Sequence, residues 1–400
     1  MPHRQLLPES PWLLALLAAL VALGPLSVDV YLPAMPAMMQ ALGTDISHMH
    51  LTLSAYLTGF ALFHLVCGPL ADRFGRKPIL LGGTVLFVVA CIGCSLSTSI
   101  ERLLLFRFIQ GVGACVGPTL ARAVARDVFG PTRAARALSL IAMLMALAPA
   151  VAPAMGSVMM LWLPWPSIFV FLAVYGAAIV VLIHIFLAES LPQRQSLHPA
   201  AIARNFGLLL SSPMFMTATV ACSFVYAGLM TYLSSSSFVY IEMLGVPVKY
   251  FGFIFLSSVG GYILGSGLSA RLSRSYDSEQ TVLVGAALAT TAVGSMWIGT
   301  QLMPRSVAAL VLPMMFYSTG LGLVLPNAMA VALRPFPQIA GTASALLGFI
   351  QMSLSASTTA LVGIYLKDTP APMLNFMICI TVVALLLSVS LYRHRHRTKP

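Results

Sequence analysis

Charged residues are scarce in this sequence. They make up 8% of its 400 residues, and hydrophobic residues make up 59%, whereas about 25% of the residues of an ordinary soluble domain are charged. A soluble fold could not bury that much apolar surface. The chain is therefore predicted to lie within a membrane, with little of it left for a water-soluble domain.

The sequence also lacks the short motifs of catalytic and metal sites. It contains no P-loop, zinc-ligand cluster, nucleophile elbow or pair of catalytic carboxylates, so we predict no enzyme activity, no catalytic residue, no cofactor and no metal. Its six cysteines all fall inside apolar runs, where a cysteine behaves as a small core residue. Cys91 and Cys94 have the spacing of a redox motif, but packing within a span is the favoured interpretation.

The apolar residues are grouped into twelve runs separated by short polar breaks. Each run has about 20 residues or more, the length of a helix that crosses a ~30 Å hydrocarbon core. Helix is the only state expected, because backbone groups in lipid must pair within their own segment. The predicted spans are residues 12–35, 50–71, 79–98, 102–126, 135–161, 167–188, 213–238, 249–271, 279–300, 306–332, 339–364 and 372–392.

The longest polar break, residues 189–212, separates six spans from six. We predict an all-α membrane fold of twelve transmembrane helices in two six-helix bundles, residues 1–188 and 213–400, joined by a cytoplasmic linker. With the N-terminus and alternate breaks assigned to the cytoplasm, 17 of the 22 Lys and Arg residues lie on the cytoplasmic side and 4 on the other. This asymmetry predicts two cytoplasmic termini. It also explains the net charge of +11 without a nucleic-acid partner.

The break between spans two and three reads G-P-L-A-D-R-F-G-R-K-P, residues 68–78. It resembles the signature loop of the major facilitator superfamily of membrane transporters, whose loop is a latch that steadies one state of the transport cycle. The resemblance implies the two-bundle fold of that superfamily. It also implies a conformational gate formed by Gly68, Asp72, Arg73, Gly75, Arg76 and Lys77.

The basic residues of this loop have a simple explanation that its acidic residue lacks. Arg73, Arg76 and Lys77 are expected in any cytoplasmic loop, because Lys and Arg are retained on that side of the membrane, but this does not explain Asp72. A carboxylate at the end of a helix is disfavoured by the helix dipole, so Asp72 should pair with another helix N-terminus or with an arginine such as Arg126. We therefore predict that Arg126 belongs to the gate.

An acidic residue, Asp29, lies inside span one, in P-L-S-V-D-V-Y-L-P-A-M-P. A carboxylate within a membrane costs ~2.5 kcal/mol or more and marks a functional site by default. Burial disfavours the charged form of such a group and a nearby cation favours it. Asp29 is therefore predicted to bind and release protons.

The candidate cation is Arg107, in R-F-I-Q-G-V-G-A-C on span four. Asp29 lies about 26 Å from one membrane face and Arg107 about 8 Å from the other, at 1.5 Å per residue, so their depths are similar in a ~30 Å core. This allows an Asp29–Arg107 pair, and it equally allows Arg107 to reach the outer interface with its long side chain. The segment also resembles the span-four motif of the superfamily, whose arginine is implicated in proton coupling.

Span five carries A-L-A-P-A-V-A-P-A-M-G-S, residues 146–157, which resembles the antiporter motif of drug exporters. That motif reads G-P-x-x-G-G at its core, and most of its glycines are replaced here. Small residues spaced four apart let helices approach closely, and residues 258–267 offer a partner. The predicted packing residues are Pro149, Pro153, Gly156, Gly261 and Gly265.

Five further segments extend the resemblance over both halves: D-V-Y-L-P-A-M-P at 29–36, R-D-V-F at 126–129, F-V-Y-I-E at 238–242, P-N-A-M-A-V at 326–331 and A-G-T-A-S-A-L at 340–346. With them the chain is similar to the Bcr/CflA drug-resistance group. The resemblance implies efflux of bicyclomycin-, chloramphenicol- or sulfonamide-like antibiotics from a bacterial inner membrane, in exchange for protons and by alternating access. An exporter of an endogenous metabolite or siderophore is the alternative on the same scaffold.

Polar and aromatic residues within the spans are candidates for a cavity that holds flat, mostly uncharged drugs. Each of them could equally form an interhelical hydrogen bond. The candidates are Tyr31, Tyr56, Gln110, Tyr232, Asn327 and Gln351. The expected partners of the chain are a drug-like small molecule, protons and membrane lipid, and the chain is expected to be a monomer. A receptor or a membrane enzyme is the alternative from another class.

Overall fold

The computed structural model of the chain describes residues 11–191 and 199–397. The side chains of residues 130–147, and of a few residues beside the two gaps, lie outside that description. Among the described residues all regular structure is helical and none is strand. The predicted all-α class is therefore confirmed.

The helices follow one another with short connections. In the first half they are α1 (Pro11–Asp29), α2 (Met35–Ala41), α3 (Ile46–Phe74), α4 (Arg76–Ser95), α5 (Ile100–Ala114), α6 (Val116–Trp162) and α7 (Pro166–Phe186). In the second half they are α8 (Pro199–Leu210), α9 (Pro213–Ser237), α10 (Val248–Leu272), α11 (Ser278–Leu302), α12 (Ala308–Leu333), α13 (Ala340–Tyr365) and α14 (Ala371–Arg397). A 3₁₀ turn, Leu32–Ala34, joins α1 to α2, and a π-helix, Phe238–Met243, continues α9.

Most of these helices have the length and composition of membrane spans. Eleven helical segments of the described residues are apolar and long enough to cross a bilayer, and Ala148–Trp162 is a shorter apolar helix. It lies within the fifth predicted span, next to residues whose side chains are not described. The chain is thus a multi-pass membrane protein with the predicted set of spans.

Helix α6 contains parts of two predicted spans, and the break expected between them is helical. A side chain at Gly117 would meet the carbonyl of Leu20, and one at Gly156 would meet the carbonyl of Val30. On a straight helix the two glycines would be roughly 58 Å apart, whereas Leu20 and Val30 are separated by about 15 Å of helix. Because both ends of α6 contact α1, α6 cannot be one straight rod, and it supplies both the end of span four and span five.

Two compact units make up the chain. The first contains the described residues up to Thr44 and from Ala55 to Pro199, and the second contains Asp45–Ser54 and the described residues from Ala200 onward. The sequence did not predict that the start of α3 would be grouped with the second unit. There the hydroxyl of Ser54 donates to the carbonyl of Ala356 at 2.8 Å. No pattern in the sequence predicts this long-range contact.

The predicted linker, residues 189–212, contains more structure than expected. Residues 192–198 lie outside the described residues, and Pro199–Leu210 forms α8. The two termini, residues 1–10 and 398–400, also lie outside them. The cytoplasmic placement of the linker and termini, and the exact boundaries of the two bundles, therefore stay predictions.

The small residues of the fifth and eighth spans pack closely, but each within its own unit. In the first unit, Gly156 contacts the backbone of Val30 and the ring of Pro33. Nearby on α6, Pro153 is buried and Pro149 is half-buried.

In the second unit, a side chain at Gly261 would meet the carbonyl of Met315 on α12, and one at Gly265 would meet the carbonyl of Thr319. The sequence had suggested that residues 258–267 pack on span five. A side chain at Gly260 or Gly267 of the same segment would meet no atom within 4 Å, and packing of this segment on span five stays a prediction.

The packing of α10 on α12 generates a prediction about stability. Replacing Gly265 with Val forces α10 away from the Thr319 carbonyl, and overpacking of this kind costs about 1–3 kcal/mol. Thermal unfolding of the purified protein in detergent should show a lower midpoint for Gly265→Val. Gly267→Val is the control, because a side chain there meets no atom within 4 Å. Equal midpoints for the two variants would contradict the assigned packing.

Candidate functional site

The guanidinium of Arg107 is the centre of a buried cluster in the first unit. Arg107 lies on α5 with none of its surface exposed. Its Nη1 donates to the backbone carbonyl of Ser27 at 3.1 Å and to Oε1 of Gln110 at 2.6 Å. The amide nitrogen of Gln110 in turn donates to the sulfur of Cys91 at 3.0 Å. One edge of the cation is therefore held by neutral oxygen atoms.

Aromatic rings cover the faces of the same cation. The guanidinium carbon lies 4.4 Å from the ring centre of Tyr31, 4.7 Å from that of Tyr56 and 5.9 Å from that of Phe169. Cation–π contacts gain strength when they are removed from water, to about 2 kcal/mol or more. The rings thus offset part of the cost of burying a charge that pairs with no acid among the described residues.

Close helix packing places Tyr56 beside Arg107. A side chain at Gly111 on α5 would meet the carbonyl of Tyr56, and one at Gly59 on α3 would meet the carbonyl of Phe108. The two backbones are therefore in direct contact, as small residues allow in membrane helices. The hydroxyl of Tyr56 reaches further and donates to the carbonyl of Gly24 on α1 at 3.3 Å, which joins three helices around the cation.

Asp29 is the last residue of α1 and is 4% exposed. It lies two residues after Ser27, whose carbonyl holds Arg107. No ion pair of the described residues includes Asp29 or Arg107 within 4.0 Å. Arg107 is therefore bound to a residue two positions before Asp29, but Asp29 and Arg107 form no ion pair with each other. The alternative, that Arg107 reaches the outer interface, is wrong, because its side chain is fully buried.

Two nitrogen atoms of Arg107, Nε and Nη2, have no hydrogen-bond partner among the described residues. A buried donor without a partner costs about 1–3 kcal/mol, and more when it is charged. A cluster that leaves two such donors open is prepared to receive an oxygen acceptor.

The remaining cavity candidates belong to the second unit, and no contact joins them to one another. Tyr232 is buried, with its hydroxyl 2.7 Å from that of Tyr240 and its ring edge-on to Phe255. The amide nitrogen of Asn327 donates to the hydroxyl of Ser269 at 2.7 Å and to the carbonyl of Leu323 at 2.8 Å. Asn327 thus forms the interhelical hydrogen bond named as its alternative role. Gln351, on α13, is half-buried.

The predicted gate is nearly all helical. Gly68 lies within α3, with open space around it, and only Gly75 lies outside the helices, at a φ of +108°. That backbone conformation strains any other residue, so Gly75 alone makes the turn. Arg73 places its guanidinium over the ring of Phe74, and Arg126 is exposed on α6.

Arg76 forms ion pairs with two carboxylates, one within the gate and one on α6. Its Nη1 lies 2.7 Å from Oδ1 of Asp72, and its Nε lies 3.2 Å from Oδ2 of Asp127. The arginine that pairs with Asp72 is therefore Arg76, at the i+4 position, and not Arg126. The pair joins the last turn of α3 to the first residue of α4 across the turn at Gly75.

Glu189, after the end of α7, caps the N-terminus of α4. It accepts hydrogen bonds from the backbone N–H groups of Arg76 at 2.9 Å and of Lys77 at 3.2 Å. A carboxylate is stabilised there by the unpaired N–H groups and by the helix dipole. The Nζ of Lys77 donates to the carbonyl of His184 at 2.9 Å, which completes the attachment of the loop to α7.

Comparison with known proteins agrees with this architecture. The family model described as Major Facilitator Superfamily matches residues 17–360. The chain belongs to the major facilitator superfamily. It is 32% identical over 385 residues to the uncharacterized MFS-type transporter YdgK of Bacillus subtilis, a match that covers 95% of each protein. The superfamily signature loop named from residues 68–78 is thereby confirmed.

Other curated relatives in the superfamily carry names that refer to drug resistance. The chain is 31% identical to a bicyclomycin resistance protein homolog of Haemophilus influenzae, over 92% of this chain and 93% of that protein. It is 29% identical to the multidrug resistance protein MdtL of Shigella dysenteriae, with the same coverage. These relatives confirm the Bcr/CflA resemblance.

Solved structures of the superfamily share the fold. A D-xylose–proton symporter matches with a TM-score of 0.74 at 13% identity, over 95% of this chain and 97% of that one. A bacterial homolog of the human lysosomal transporter Spinster matches with a TM-score of 0.74 at 16% identity, over 97% of each chain. At these identities the match concerns the fold alone.

Sequence reasoning missed several residues that complete the two sites of this superfamily member. Ser27 contributes a backbone carbonyl, which any residue could supply. Phe169 is one of 21 phenylalanines, and nothing in the sequence distinguishes it from the others. Asp127 and Glu189 could have been noticed, because both are among the 11 acidic residues of the chain. Their partner Arg76 lies 51 residues from Asp127 and 113 residues from Glu189, and no local pattern joins them.

The cap on α4 generates a prediction about local opening. Glu189→Ala removes the acceptor for two backbone N–H groups, at a cost of about 1 kcal/mol. Amide hydrogen exchange at residues 76 and 77 should therefore become roughly fivefold faster. Glu242→Ala is the matched control, an exposed acid outside the gate. Unchanged exchange at residues 76 and 77 in Glu189→Ala would contradict the capping role.

Proposed function

We propose that this chain exports small, drug-like organic molecules from a bacterial cell in exchange for protons. Membership in a transporter superfamily supports transport, and the printed names of two relatives support antibiotic-like substrates. The proposal places the chain in the inner membrane as a monomer with both termini cytoplasmic. Neither enzyme activity nor a cofactor has a part in it.

One observation carries the coupling part of the proposal. Arg107 is buried with two unpartnered N–H donors, and it is anchored two residues from the buried Asp29. In the proposed cycle, ionised Asp29 accepts a hydrogen bond from the substrate while the open donors of Arg107 hold a polar group of the same molecule. When a proton neutralises Asp29, the carboxylate loses its charge and the substrate is released.

The exchange couples two fluxes because the proton and the substrate compete for one carboxylate. Asp29 cannot hold a proton and accept a hydrogen bond from the substrate at the same time. Substrate binding therefore favours the ionised form of Asp29. The sign follows from electrostatics, since a buried cation favours the charged form of a neighbouring carboxyl group.

The rings around Arg107 suggest the kind of substrate. Tyr31 and Tyr56 offer flat apolar faces with polar edges, a surface suited to aromatic or heterocyclic molecules. Tyr232 offers a similar surface in the second unit. We assign Gln110 to positioning the guanidinium, because its Oε1 accepts from Nη1 at 2.6 Å, and we leave Gln351 as a contact residue of the cavity.

The gate residues have a separate role in the proposal. Arg76 links Asp72 to Asp127, and Glu189 holds the start of α4. These partly exposed contacts are each worth about 0.2–1 kcal/mol, which is small enough to be made and broken within a transport cycle. We propose that they steady one state of alternating access.

The central test replaces the proposed proton carrier. Asp29→Asn keeps the size of the side chain but cannot exchange a proton, so it should abolish drug uptake by inverted membrane vesicles that is driven by a proton gradient. Asp368→Asn, at an exposed acid outside the bundle cores, should transport like the wild type.

Substrate identity is tested in the same vesicles. A panel of bicyclomycin, chloramphenicol and a sulfonamide should include at least one transported compound. If an endogenous metabolite is transported and none of these compounds is, the alternative function, export of a metabolite or siderophore, would be favoured over drug efflux. Full gradient-driven transport by normally expressed Asp29→Asn would overturn the coupling scheme itself.

A further inference from the structure

A cavity of about 480 Å³ opens in the second unit, away from the Arg107 cluster. It lies where the start of α11 meets the ends of α12 and α14. Its volume is within the range of sites that bind small molecules. The lining residues are Met214, Glu279, Arg334, Pro335, Leu391, His394 and Arg395.

Glu279 is the buried acid of this cavity, with 1% of its surface exposed. Its Oε1 lies 2.7 Å from Nη2 of Arg334 and 3.9 Å from Nε of Arg395. Its other oxygen, Oε2, has no hydrogen-bond partner among the described residues. A buried carboxylate oxygen without a donor is costly, so this oxygen is a place where a ligand N–H group would be stabilised.

With two arginines beside Glu279, the cavity carries both positive and negative charges. The side chains of Arg334 and Arg395 are 42% and 33% exposed, so part of each guanidinium reaches the opening. A guanidinium has five N–H donors in a planar fork that matches phosphate oxygens. A ligand that carries a phosphate beside a primary ammonium would complement the arginines and Glu279 together.

A second cavity lies along α14 and shares one lining residue with the first. Met214, Pro335 and Leu391 form the apolar wall of the first cavity. His394 also lines the second cavity, of about 380 Å³, together with Leu386, Val389, Ser390 and Arg393. Leu386 is 64% exposed, as expected for a side chain that faces lipid on a membrane helix.

We propose that this cavity binds the headgroup of a phospholipid with a primary amine, that is, phosphoethanolamine. The ammonium donates to Oε2 of Glu279, and the phosphate accepts from Arg334 and Arg395. The acyl chains leave along the apolar side of α14, past Leu386. The position at helix ends, where a bilayer has its headgroups, selects a lipid over a dissolved zwitterion.

The charges of the cavity distinguish this headgroup from other common ones. A choline headgroup has the same net charge but no N–H to donate to Glu279. A glycerol headgroup is anionic and has no cation, so its only partners are the arginines, which already face Glu279 and, for Arg395, Asp277. Of the three, only phosphoethanolamine offers both an N–H donor for Glu279 and phosphate oxygens for the arginines.

Binding is tested with delipidated, purified full-length protein and three lipids of equal acyl chains. Native mass spectrometry with phosphatidylethanolamine, phosphatidylcholine and phosphatidylglycerol should show the ethanolamine lipid bound about tenfold more tightly than either of the others. Equal affinities, or a preference for the anionic lipid, would overturn the proposal. This result needs no variant and is independent of any transport activity.

A pair of variants locates the site. Glu279→Gln keeps an oxygen for Arg334 but puts an amide NH2 group in place of Oε2, which cannot accept from the ammonium, so the preference for phosphatidylethanolamine over phosphatidylcholine should disappear. Asp277→Asn is the matched control: this neighbouring acid pairs with Arg395 at 3.4 Å but does not line the cavity, so its preference should persist. Retention of the preference in a folded Glu279→Gln protein would place the lipid elsewhere and contradict the proposal.

Discussion

The buried guanidinium of Arg107 is the constraint on which the first unit depends. A charge removed from water in a membrane protein must be compensated where it lies. Here no acid compensates it within ion-pair distance among the described residues, and the task falls to the Ser27 carbonyl, the Gln110 amide and aromatic rings. This fixes α1, α3 and α5 around one point. It also leaves two N–H donors open, which gives the site its capacity for exchange.

The two units each hold a charge network where helices end, and the signs are inverted. In the first, Arg76 at the start of α4 binds Asp127 and the Asp72 that precedes it. In the second, Glu279 at the start of α11 binds Arg334 and Arg395. The guanidinium has enough donors for both of its acids, whereas the carboxylate keeps one oxygen without a donor. The second network is therefore the one with room for a ligand.

Hydropathy and local motifs predicted the helices and the superfamily, because length, apolarity and the 68–78 loop are properties of contiguous residues. They also singled out Asp29 and Arg107, since a charged residue inside an apolar run is conspicuous. They could not give the partners. Asp72 pairs with Arg76 rather than Arg126, Glu189 caps α4, and Gly156 packs on Val30 and Pro33. Each contact joins residues whose proximity depends on tertiary packing, and the break expected inside α6 is helical for reasons that no local pattern reveals.

The central claim is that a proton and a bound molecule compete for Asp29 beside the open donors of Arg107. The most direct measurement is the number of protons released into weakly buffered solution when a transported drug binds to purified protein. The account predicts measurable proton release for the wild type and none for Asp29→Asn saturated with the drug. Equal proton release from both proteins, or proton uptake by the wild type, would contradict the account.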